Sequence, residues 1–543
     1  MLVAQEVNVG RNSQNRTLSR RDFLGRVSRG TVASALLPLA LRRPSEAAVL
    51  NDIYLVEGIP DQPFYEDQRP NDHIGLDTLL ALMGSRGLKF HRSPHVSATS
   101  GPDGLIGPED VVLIKVNAQW KYRGCTNSDL VRGLVQRLLD HPDVFTGEVV
   151  IIENGQGRGS LACDTSAAYA DSLVHANAND EAHSFVYLVR NIFKDPRVSA
   201  FLLDDIRSRF IAASDHTQNG YRTFENVSYP CFTTAAGRRV ELREGVWTTG
   251  GHRPNLKLIN VPVPKHHDTG GSEITACLKL FYGIVSMNDG QSGFRHYAGL
   301  GETCGKTMAA VCAPVLNIVD ATWVSHGSIT GYPPETTRRL NKLAASYDPV
   351  ALDFWTAKYL LYPVDNNPRH HPEHPGIDRW LTQAAETINA RGGLRDHSGR
   401  VVCSRVTKRE DEIQLHTGRA GENLRRATIA LSATSLRFLV SAGRSNPATR
   451  TVDITNAGRG DLSWTAEVDA DWLRCVPASG EGSGRLSVSV APADLEPGTY
   501  RAVVRIVSPQ AANSPGLIRV VLSITDRRPG GKDRGLGQSG PDA

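Results

Sequence analysis

The strongest constraint on the fold is a strand–helix–strand pattern in the first third of the chain. Val111–Val116 is a short run of mostly aliphatic residues, which is typical of a strand buried on both faces. Residues 127–140 then carry aliphatic side chains at helical spacing, and Glu148–Glu153 is a second apolar run. Two buried strands joined by a helix form a right-handed crossover with a parallel strand pair. The pattern therefore predicts an α/β layer.

The same alternation continues further along the chain. Residues 256–263 and 315–319 read as strands, and residues 273–285 and 349–361 read as helices. We therefore predict that residues 48–400 form an α/β domain with a mainly parallel sheet.

The pattern changes after residue 400, where short alternating strands replace the strand–helix units. We predict a linker at 401–430, an all-β immunoglobulin-like sandwich at 431–526, and a disordered tail at 527–543. The tail is rich in Gly, Arg and Asp and holds few residues that could form a core.

The N-terminus carries the pattern of an export signal. Arg20 and Arg21 stand before an apolar run at 31–41, and a small-residue cleavage site follows at 45–47. The run is shorter than the roughly 20 apolar residues of a membrane span. We expect a twin-arginine signal at 1–47, recognised by the twin-arginine export machinery, and a periplasmic or extracellular protein with no permanent membrane span. The alternative is a cytoplasmic protein with an arginine-rich start.

Charge and cysteine content exclude some classes of function. The formal net charge is +4, but residues 1–47 contribute +5, so the remainder carries −1 and does not indicate nucleic-acid binding. No two of the eight cysteines have CxxC spacing, so no cysteine motif for an iron–sulfur cluster is present. One or two disulfides remain open in an oxidising compartment.

The densest group of polar residues follows the predicted strand at 256–263. Lys265 and Lys279 would supply positive charge, and His266 or His267 could act as an acid, a base or a metal ligand. Ser272 is the predicted N-cap of the next helix, where Thr275 would share one helix face with Lys279. Ligands of open α/β sheets bind beyond the carboxyl ends of strands. The alternative is a capped turn with solvated basic residues.

Other polar residues also stand near predicted strand ends or helix starts. They are Lys115 and Asn117, Thr126 in the next loop, Asp320 at a strand end, Asp348 as an N-cap before Pro349, and Asp353 one turn later. The segment 154–160 resembles a dinucleotide-binding loop, but Ser160 stands where the last glycine is needed, so we predict a cavity wall there. Residues 370–374 match a zinc motif by letters, yet the surrounding prolines favour a loop.

Taken together, these residues resemble the domain-of-unknown-function 362 family over roughly residues 50–395. The matching pieces are 112–117, Thr126, 150–153, 260–264, Lys265, His267, Thr275, Lys279, Gly283, His296, 317–320 and 348–353. The family usually has proline where Val116 stands and asparagine where Leu280 stands, and many members carry ferredoxin segments that this chain lacks. The resemblance implies a shared fold and pocket but no particular reaction, because the family has no settled activity.

The C-terminal segment resembles a BACON-type module at 462–466, 471–473, 477–480 and 495–500. The family name implies carbohydrate binding, for which Trp464 and Trp472 would stack on a sugar if exposed. The alternative is that both tryptophans belong to the core.

These observations predict an exported metal- or cofactor-dependent enzyme that binds a small anionic ligand in an α/β cleft. The predicted catalytic residues are Lys265, His267, Lys279 and Asp320; the ligand-binding residues are Lys115, Asn117, Thr126, Thr275, Asp348 and Asp353; the metal ligands are His267 and His296. The alternative is a non-catalytic extracytoplasmic protein that binds a ligand or polysaccharide. The sequence gives neither the reaction nor the identity of a cofactor, for which a metal ion is the candidate.

Overall fold

The computed structural model describes most of the chain between residues 50 and 525. The described ranges are 50–65, 70–165, 171–268, 272–422, 427–441, 448–456, 458, 460–492, 495–511 and 514–525. The predicted signal and tail lie outside them. Within these ranges, no helix has the length and apolar character needed to cross a membrane.

A mixed sheet forms the centre of the α/β body. Its main strands are β1 (Asn51–Glu57), β2 (Val111–Val116), β3 (Glu148–Glu153), β4 (Val198–Leu202), β5 (Leu256–Val261), β6 (Leu316–Ser325), β7 (Thr337–Ser346) and β8 (Ile413–Arg419). They lie in the order β8-β1-β7-β6-β5-β2-β3-β4. Strands β6, β5, β2, β3 and β4 pair in parallel. Every residue of β2, β3 and β5 is buried, as expected of strands covered on both faces.

Two features of this sheet were not predicted from the sequence. Strand β7 is antiparallel to both of its neighbours, β6 and β1, so the sheet is mixed. Strand β8 pairs with β1 along seven residues although it lies inside the predicted linker. This pairing provides hydrogen-bond partners for the backbone N–H and C=O groups on the outer edge of β1, which would otherwise be unpaired.

The longer helices cover the sheet. They are α1 (Ile74–Ser85), α2 (Ser128–Leu139), α3 (Cys277–Tyr282), α4 (Leu300–Lys306), α5 (Pro349–Thr356) and α6 (Pro375–Ala390). One-turn helices occur at Phe185–Tyr187, Met287–Gly290 and Tyr362–Asp365, and π-helical turns at Leu188–Phe193, Phe294–Ala298, Thr307–Val311 and Ala357–Leu361. Helix α5 begins after Asp348, whose carboxylate accepts hydrogen bonds from the first turn, as predicted.

Helix α3 is shorter than predicted, and Ser272 does not cap it. Ile274–Thr275 instead pairs as a short strand with Lys265–His266, so the helix begins only at Cys277. The carboxylate of Asp353 accepts hydrogen bonds from the N–H groups of Cys277 and Leu278 at 2.6 and 2.9 Å. A distant side chain therefore replaces the local cap.

The remaining strands form smaller sheets. One antiparallel sheet of the α/β body contains Gly220–Phe224, Val227–Thr233, Arg239–Glu241, Gly245–Thr248 and Gly251–Arg253; short pairs are His91–Arg92 with Ser100–Gly101 and Leu394–Arg395 with Val401–Cys403.

The C-terminal segment consists of two β-sheets around one core. The first contains Ile429–Leu431, Ala448–Asn456, Leu473–Val476 and Gly484–Val490; the second contains Ser435–Ser441, Ser463–Val468, Ser479–Glu481, Gly498–Val507 and Gly516–Thr525. Alternate residues of Ser435–Ser441 are buried, which matches the period of a strand with one face on a core. Trp464 is 2 % exposed and belongs to that core.

Candidate functional site

A cavity of about 330 Å³ lies at the carboxyl ends of β2 and β3 and beside the segment that follows β5. This is where open α/β sheets place their ligands. Its lining consists of Lys115, Asn117, Gln119, Trp120, Glu153, Asn154, Gln156, Arg158, Lys265, His267, Asp268, Thr275, Lys279, Leu280, Tyr282, Gly283, His296 and Ile329. Seven of the residues predicted from the sequence are thus brought together here: Lys115, Asn117, Lys265, His267, Thr275, Lys279 and His296.

Lys115 enters the cavity paired with the carboxylate of Glu153, which is not among the predicted site residues. Its Nζ lies 2.5 Å from Oε1 of Glu153, the last residue of β3, and both side chains are buried. Nζ also donates to the carbonyl of Val116 at 2.9 Å. Burial lowers the pKa of Lys115, and the charge of Glu153 opposes this change. The lysine is therefore already neutralised by its neighbour.

Lys265 is a second buried amine, and its direct described partner is a carbonyl group rather than a carboxylate. Its Nζ donates to the carbonyl of Gly124 at 2.7 Å. Burial lowers its pKa to about 8, although Glu153 acts in the opposite direction. A buried ammonium held mainly by a carbonyl remains able to attract an anion.

Lys279 is the third buried amine of the cavity. Its Nζ donates to Nε2 of His296 at 2.7 Å and lies 4.7 Å from the centre of the Tyr282 ring. Burial lowers the pKa of Lys279 to about 7 and that of His296 to about 4. Neutral imidazole is therefore the favoured form of His296 at neutral pH.

His267, Asp268 and His296 offer a set of metal-ligand atoms that lie within 4.8 Å of one another. Nδ1 of His267 contacts the Asp268 carboxylate, which also accepts a 2.7 Å hydrogen bond from the Tyr297 hydroxyl. Burial lowers the pKa of His267 to about 3. For Asp268, burial is the largest single cause and raises the pKa, but the contacts with His267, Tyr297 and His296 together outweigh it, so the net shift is downward. Two imidazoles and one carboxylate suit a divalent first-row transition metal.

A second group with similar atoms lies in the antiparallel sheet and differs in its charge. His216 and His252 each contact the buried carboxylate of Glu241 at 2.7 Å. Arg222 and Arg239 contact the same carboxylate at 2.7 and 3.3 Å. Two guanidinium groups already neutralise Glu241 and would repel a cation, so this group is an ion cluster of the sheet.

Asn117 and Thr126 connect the loops after β2 and β5. The Thr126 hydroxyl accepts from the backbone N–H of Asn117 at 2.8 Å and donates to the carbonyl of Val261 at 2.8 Å. The Asn117 side-chain oxygen accepts from the N–H of Val263 at 2.9 Å. Asn117 lines the cavity, whereas Thr126 is absent from the lining that the structure describes and acts on it through Asn117.

The three predicted aspartates lie elsewhere, each accepting backbone hydrogen bonds. Asp320 lies inside β6 and not at a strand end as predicted. It accepts from the N–H of Asn127 at 2.7 Å, at the start of α2. Asp348 caps α5, and Asp353 caps α3. Burial raises the pKa of Asp320 to about 6 and those of Asp348 and Asp353 to about 7. None of the three belongs to the described lining of the cavity, so they position helices around it.

Thr275 reaches the cavity from a strand, so the predicted shared helix face with Lys279 is wrong, although both residues line the cavity. The motif at 370–374 is a turn followed by a helix start, as its prolines indicate. His370 Nε2 contacts His266 Nδ1 at 2.9 Å, and the His374 ring accepts from the N–H of Gly376 at the start of α6.

The loop 154–160 forms a wall of the cavity, and a glycine allows its close approach to the opposite wall. A Cβ at Gly159 would overlap the carbonyl oxygens of Ala118 and Gln119, so no larger residue fits without a shift of the loop. Asn154, Gln156 and Arg158 of this loop line the cavity. Glu153 and Asp268 were missed; their sequence signals are that Glu153 is the last residue of a buried strand and that Asp268 directly follows His267.

Comparisons with known proteins agree with both sequence resemblances. Residues 256–358 match the family model described as "Domain of unknown function (DUF362)", and residues 429–515 match the model described as "Viral BACON domain". The two resemblances are thereby confirmed for these segments. A search of curated proteins finds no match to this chain.

Several solved structures are similar to a small part of the chain. A Bacteroides ovatus GH5 xyloglucanase in complex with a XXXG heptasaccharide is 19 % identical over 18 % of this chain and 19 % of its own, with a TM-score of 0.15. A Porphyromonas gingivalis W83 protein of unknown function is 18 % identical over 20 % of this chain and 54 % of its own, with a TM-score of 0.16. A putative carbohydrate binding protein from Bacteroides ovatus ATCC 8483 is 10 % identical over 18 % of this chain and 37 % of its own, with a TM-score of 0.15. This chain spans about a fifth to a half of these structures, and likeness of this size carries no functional argument.

Proposed function

We propose that the cavity binds a small phosphate- or carboxylate-bearing ligand and that the protein is a metal-dependent enzyme acting on it. The observation that supports this most is the convergence of three buried lysines, Lys115, Lys265 and Lys279, in one cavity. Because Lys115 is paired with Glu153, the net charge of the described lining comes from Lys265, Lys279 and the exposed Arg158 against the carboxylate of Asp268. Such an excess of positive charge in a buried site attracts an anion.

Within this proposal, Lys265 and Lys279 contact the anion, and Lys115 has a different role. Lys115 is neutralised by Glu153 at 2.5 Å, so it shapes the cavity more than it charges it. Lys265 is held only by a carbonyl in the direct contacts of its Nζ that the structure describes. Its charge is therefore available to a phosphate or carboxylate oxygen.

His267, Asp268 and His296 would hold the metal ion, which when bound would supply a Lewis acid beside the anion. Lys279 now donates to Nε2 of His296 at 2.7 Å. A metal bound through that nitrogen requires Lys279 Nζ to leave it. The released ammonium would then face the cavity, so metal binding and anion binding support each other.

Titration calorimetry of the full-length protein with Zn²⁺ and with inorganic phosphate tests the proposal. We expect His267→Ala to weaken Zn²⁺ binding at least about tenfold, while the exposed His95, changed to alanine as a control, leaves it unchanged. We expect Lys265→Met to weaken phosphate binding about tenfold, with Lys358→Met at an exposed ion pair as the matched control. Unchanged binding in the two cavity variants would refute the assignment.

The alternative function, a glycan-binding protein, rests on an observation in the C-terminal sheets. The immunoglobulin-like character of these sheets stays a prediction. Trp472 is half-buried, and its ring centre lies 6.4 Å from that of Tyr500. The two rings are T-shaped, at 62° to each other, so the accessible part of the Trp472 ring is the surface that would stack on a sugar ring. Co-sedimentation with insoluble polysaccharides, compared between the wild type and Trp472→Ala, tests this alternative; retention lost in the variant supports it.

We also propose export through the twin-arginine pathway and a periplasmic or extracellular location, since Arg20 and Arg21 stand before a short apolar run. Replacing both arginines by lysine should leave the protein in the cytoplasmic fraction, while replacing Arg42 and Arg43 should not.

A further inference from the structure

We infer that Cys125 and Cys163 are a disulfide-forming pair that fixes two walls of the cavity relative to each other. Their sulfur atoms lie 3.8 Å apart, and the two residues are 38 positions apart in the sequence. Both side chains are buried, at 0 % and 1 % exposure. A disulfide bond measures about 2.0 Å, so closing this pair requires the sulfurs to approach by about 1.8 Å.

The facing sulfurs distinguish this pair from other buried cysteines of the described chain. The thiols of Cys304 and Cys403 point at backbone carbonyls, those of Leu278 and Arg405, at 3.2 and 3.1 Å. Cys125 has no such carbonyl among the contacts that the structure describes; its sulfur faces Cys163. Among the described hydrogen-bonding contacts, each of these two thiols is therefore the partner of the other.

The position of Cys125 connects the pair to the cavity. The preceding residue is Gly124, whose carbonyl accepts the hydrogen bond from Lys265 Nζ. The following residue is Thr126, whose hydroxyl holds the N–H of Asn117. A bond at Cys125 therefore restrains two groups that place cavity side chains.

The position of Cys163 connects the pair to the opposite wall. It follows the loop 154–160, which supplies Asn154, Gln156 and Arg158 to the cavity. Residues 154–165 and 171–184 contain only turns and a single bridge in the part of the chain that the structure describes. With few backbone ladders to hold this segment, a covalent link to Cys125 would restrict it in both the folded and the unfolded chain.

The reaction is thiol–disulfide exchange with an oxidised dithiol, such as oxidised glutathione or a disulfide-carrying oxidoreductase. The thiolate of one cysteine attacks the external disulfide and releases one thiol, giving a mixed disulfide. The thiolate of the second cysteine then displaces the remaining external sulfur. Two protons and two electrons leave the pair, and one external disulfide becomes two thiols. Burial raises the pKa of Cys125 well above its ordinary value, so exchange occurs when the loops open.

The test oxidises the folded full-length protein with oxidised glutathione, denatures it, and alkylates the remaining thiols before mass spectrometry. We expect two of the eight cysteines to escape alkylation and a peptide map to join the Cys125 and Cys163 peptides. Prior reduction should expose all eight. Cys304→Ser is the matched control, a buried cysteine outside the pair, and should leave the link intact, whereas Cys163→Ser should abolish it.

A second readout keeps the inference testable if Cys163→Ser folds poorly. Oxidised wild type should melt several degrees above the same sample after reduction. Alkylation of every cysteine after oxidation, a link between other cysteines, or a stable glutathione adduct in place of the link would each overturn the inference. These outcomes do not depend on whether the cavity binds an anion.

Discussion

Replacing Lys115 by methionine should destabilise the α/β body by about 3–5 kcal/mol. The Lys115 and Glu153 charges lie 2.5 Å apart with both side chains buried. At an effective dielectric constant of about 20, their attraction at that distance is about 7 kcal/mol, of which desolvation of both groups offsets a large part. Methionine removes the attraction but leaves the Glu153 carboxylate buried. The backbone N–H groups of Ala118 and Asn154 still donate to the Glu153 carboxylate in the variant, at 2.6 Å each. We therefore expect a loss of stability near the lower end of the range.

The assay is urea unfolding followed by tryptophan fluorescence, with a control that has the same chemistry on the surface. Lys358 and Glu410 are also 2.5 Å apart but are 29 % and 47 % exposed, so Lys358→Met should cost less than about 1 kcal/mol. In a double variant, Glu153→Gln added to Lys115→Met should restore about half of the lost stability, because no unpaired charge then remains. A cost for Lys115→Met no larger than that of the control would refute the assignment of Lys115 to a structural pair.

Four further outcomes follow from contacts in the structure. Burial raises the pKa of Asp353 to about 7, against roughly 3.9 in an unfolded chain. The folded state therefore keeps a proton that the unfolded state releases, so the free energy of unfolding should decrease as the pH rises from about 4 to 7. Asp353→Asn should make the urea midpoint less dependent on pH across that window. Asp348→Ala, which removes the acceptor of four hydrogen bonds, should cost about 3 kcal/mol in the same unfolding assay. Trp464→Ala should lower the stability of the C-terminal sheets by about 4 kcal/mol. Hydrogen exchange should then be faster in Gly484–Val490 and unchanged in Val111–Val116. Gly159→Ala should weaken phosphate binding about tenfold by calorimetry, because its Cβ displaces the cavity wall.

The strands of the α/β body could be predicted because their signal is local. The buried runs at Val111–Val116 and Glu148–Glu153 are continuous in the sequence, and the structure has strands at these bounds. Helix α3 could not be predicted correctly, because its start depends on a carboxylate from Asp353, 76 residues away from Cys277. Strand β8 was missed for the same kind of reason, since its neighbour β1 is far away in the sequence, with Asn51 paired to Ile413.

The candidate site divides in a similar way. The lysines and histidines near residues 265–279 were identified because polar residues cluster after a predicted strand, and the structure places them in one cavity. Glu153 was missed because its sequence shows only the last residue of an apolar run. The three aspartates were assigned to the site because a carboxylate at a strand end or helix start looks the same in sequence whether it binds a ligand or caps a helix.

The sequence by itself determined the alternation of strands and helices and the change to β-structure after residue 400, because these are properties of neighbouring residues. Only the tertiary structure decided the mixed order of the sheet, the pairing of Lys115 with Glu153, and the facing sulfurs of Cys125 and Cys163. Pairing between distant segments depends on how buried faces and backbone hydrogen bonds are satisfied together, and that balance is set by the whole fold.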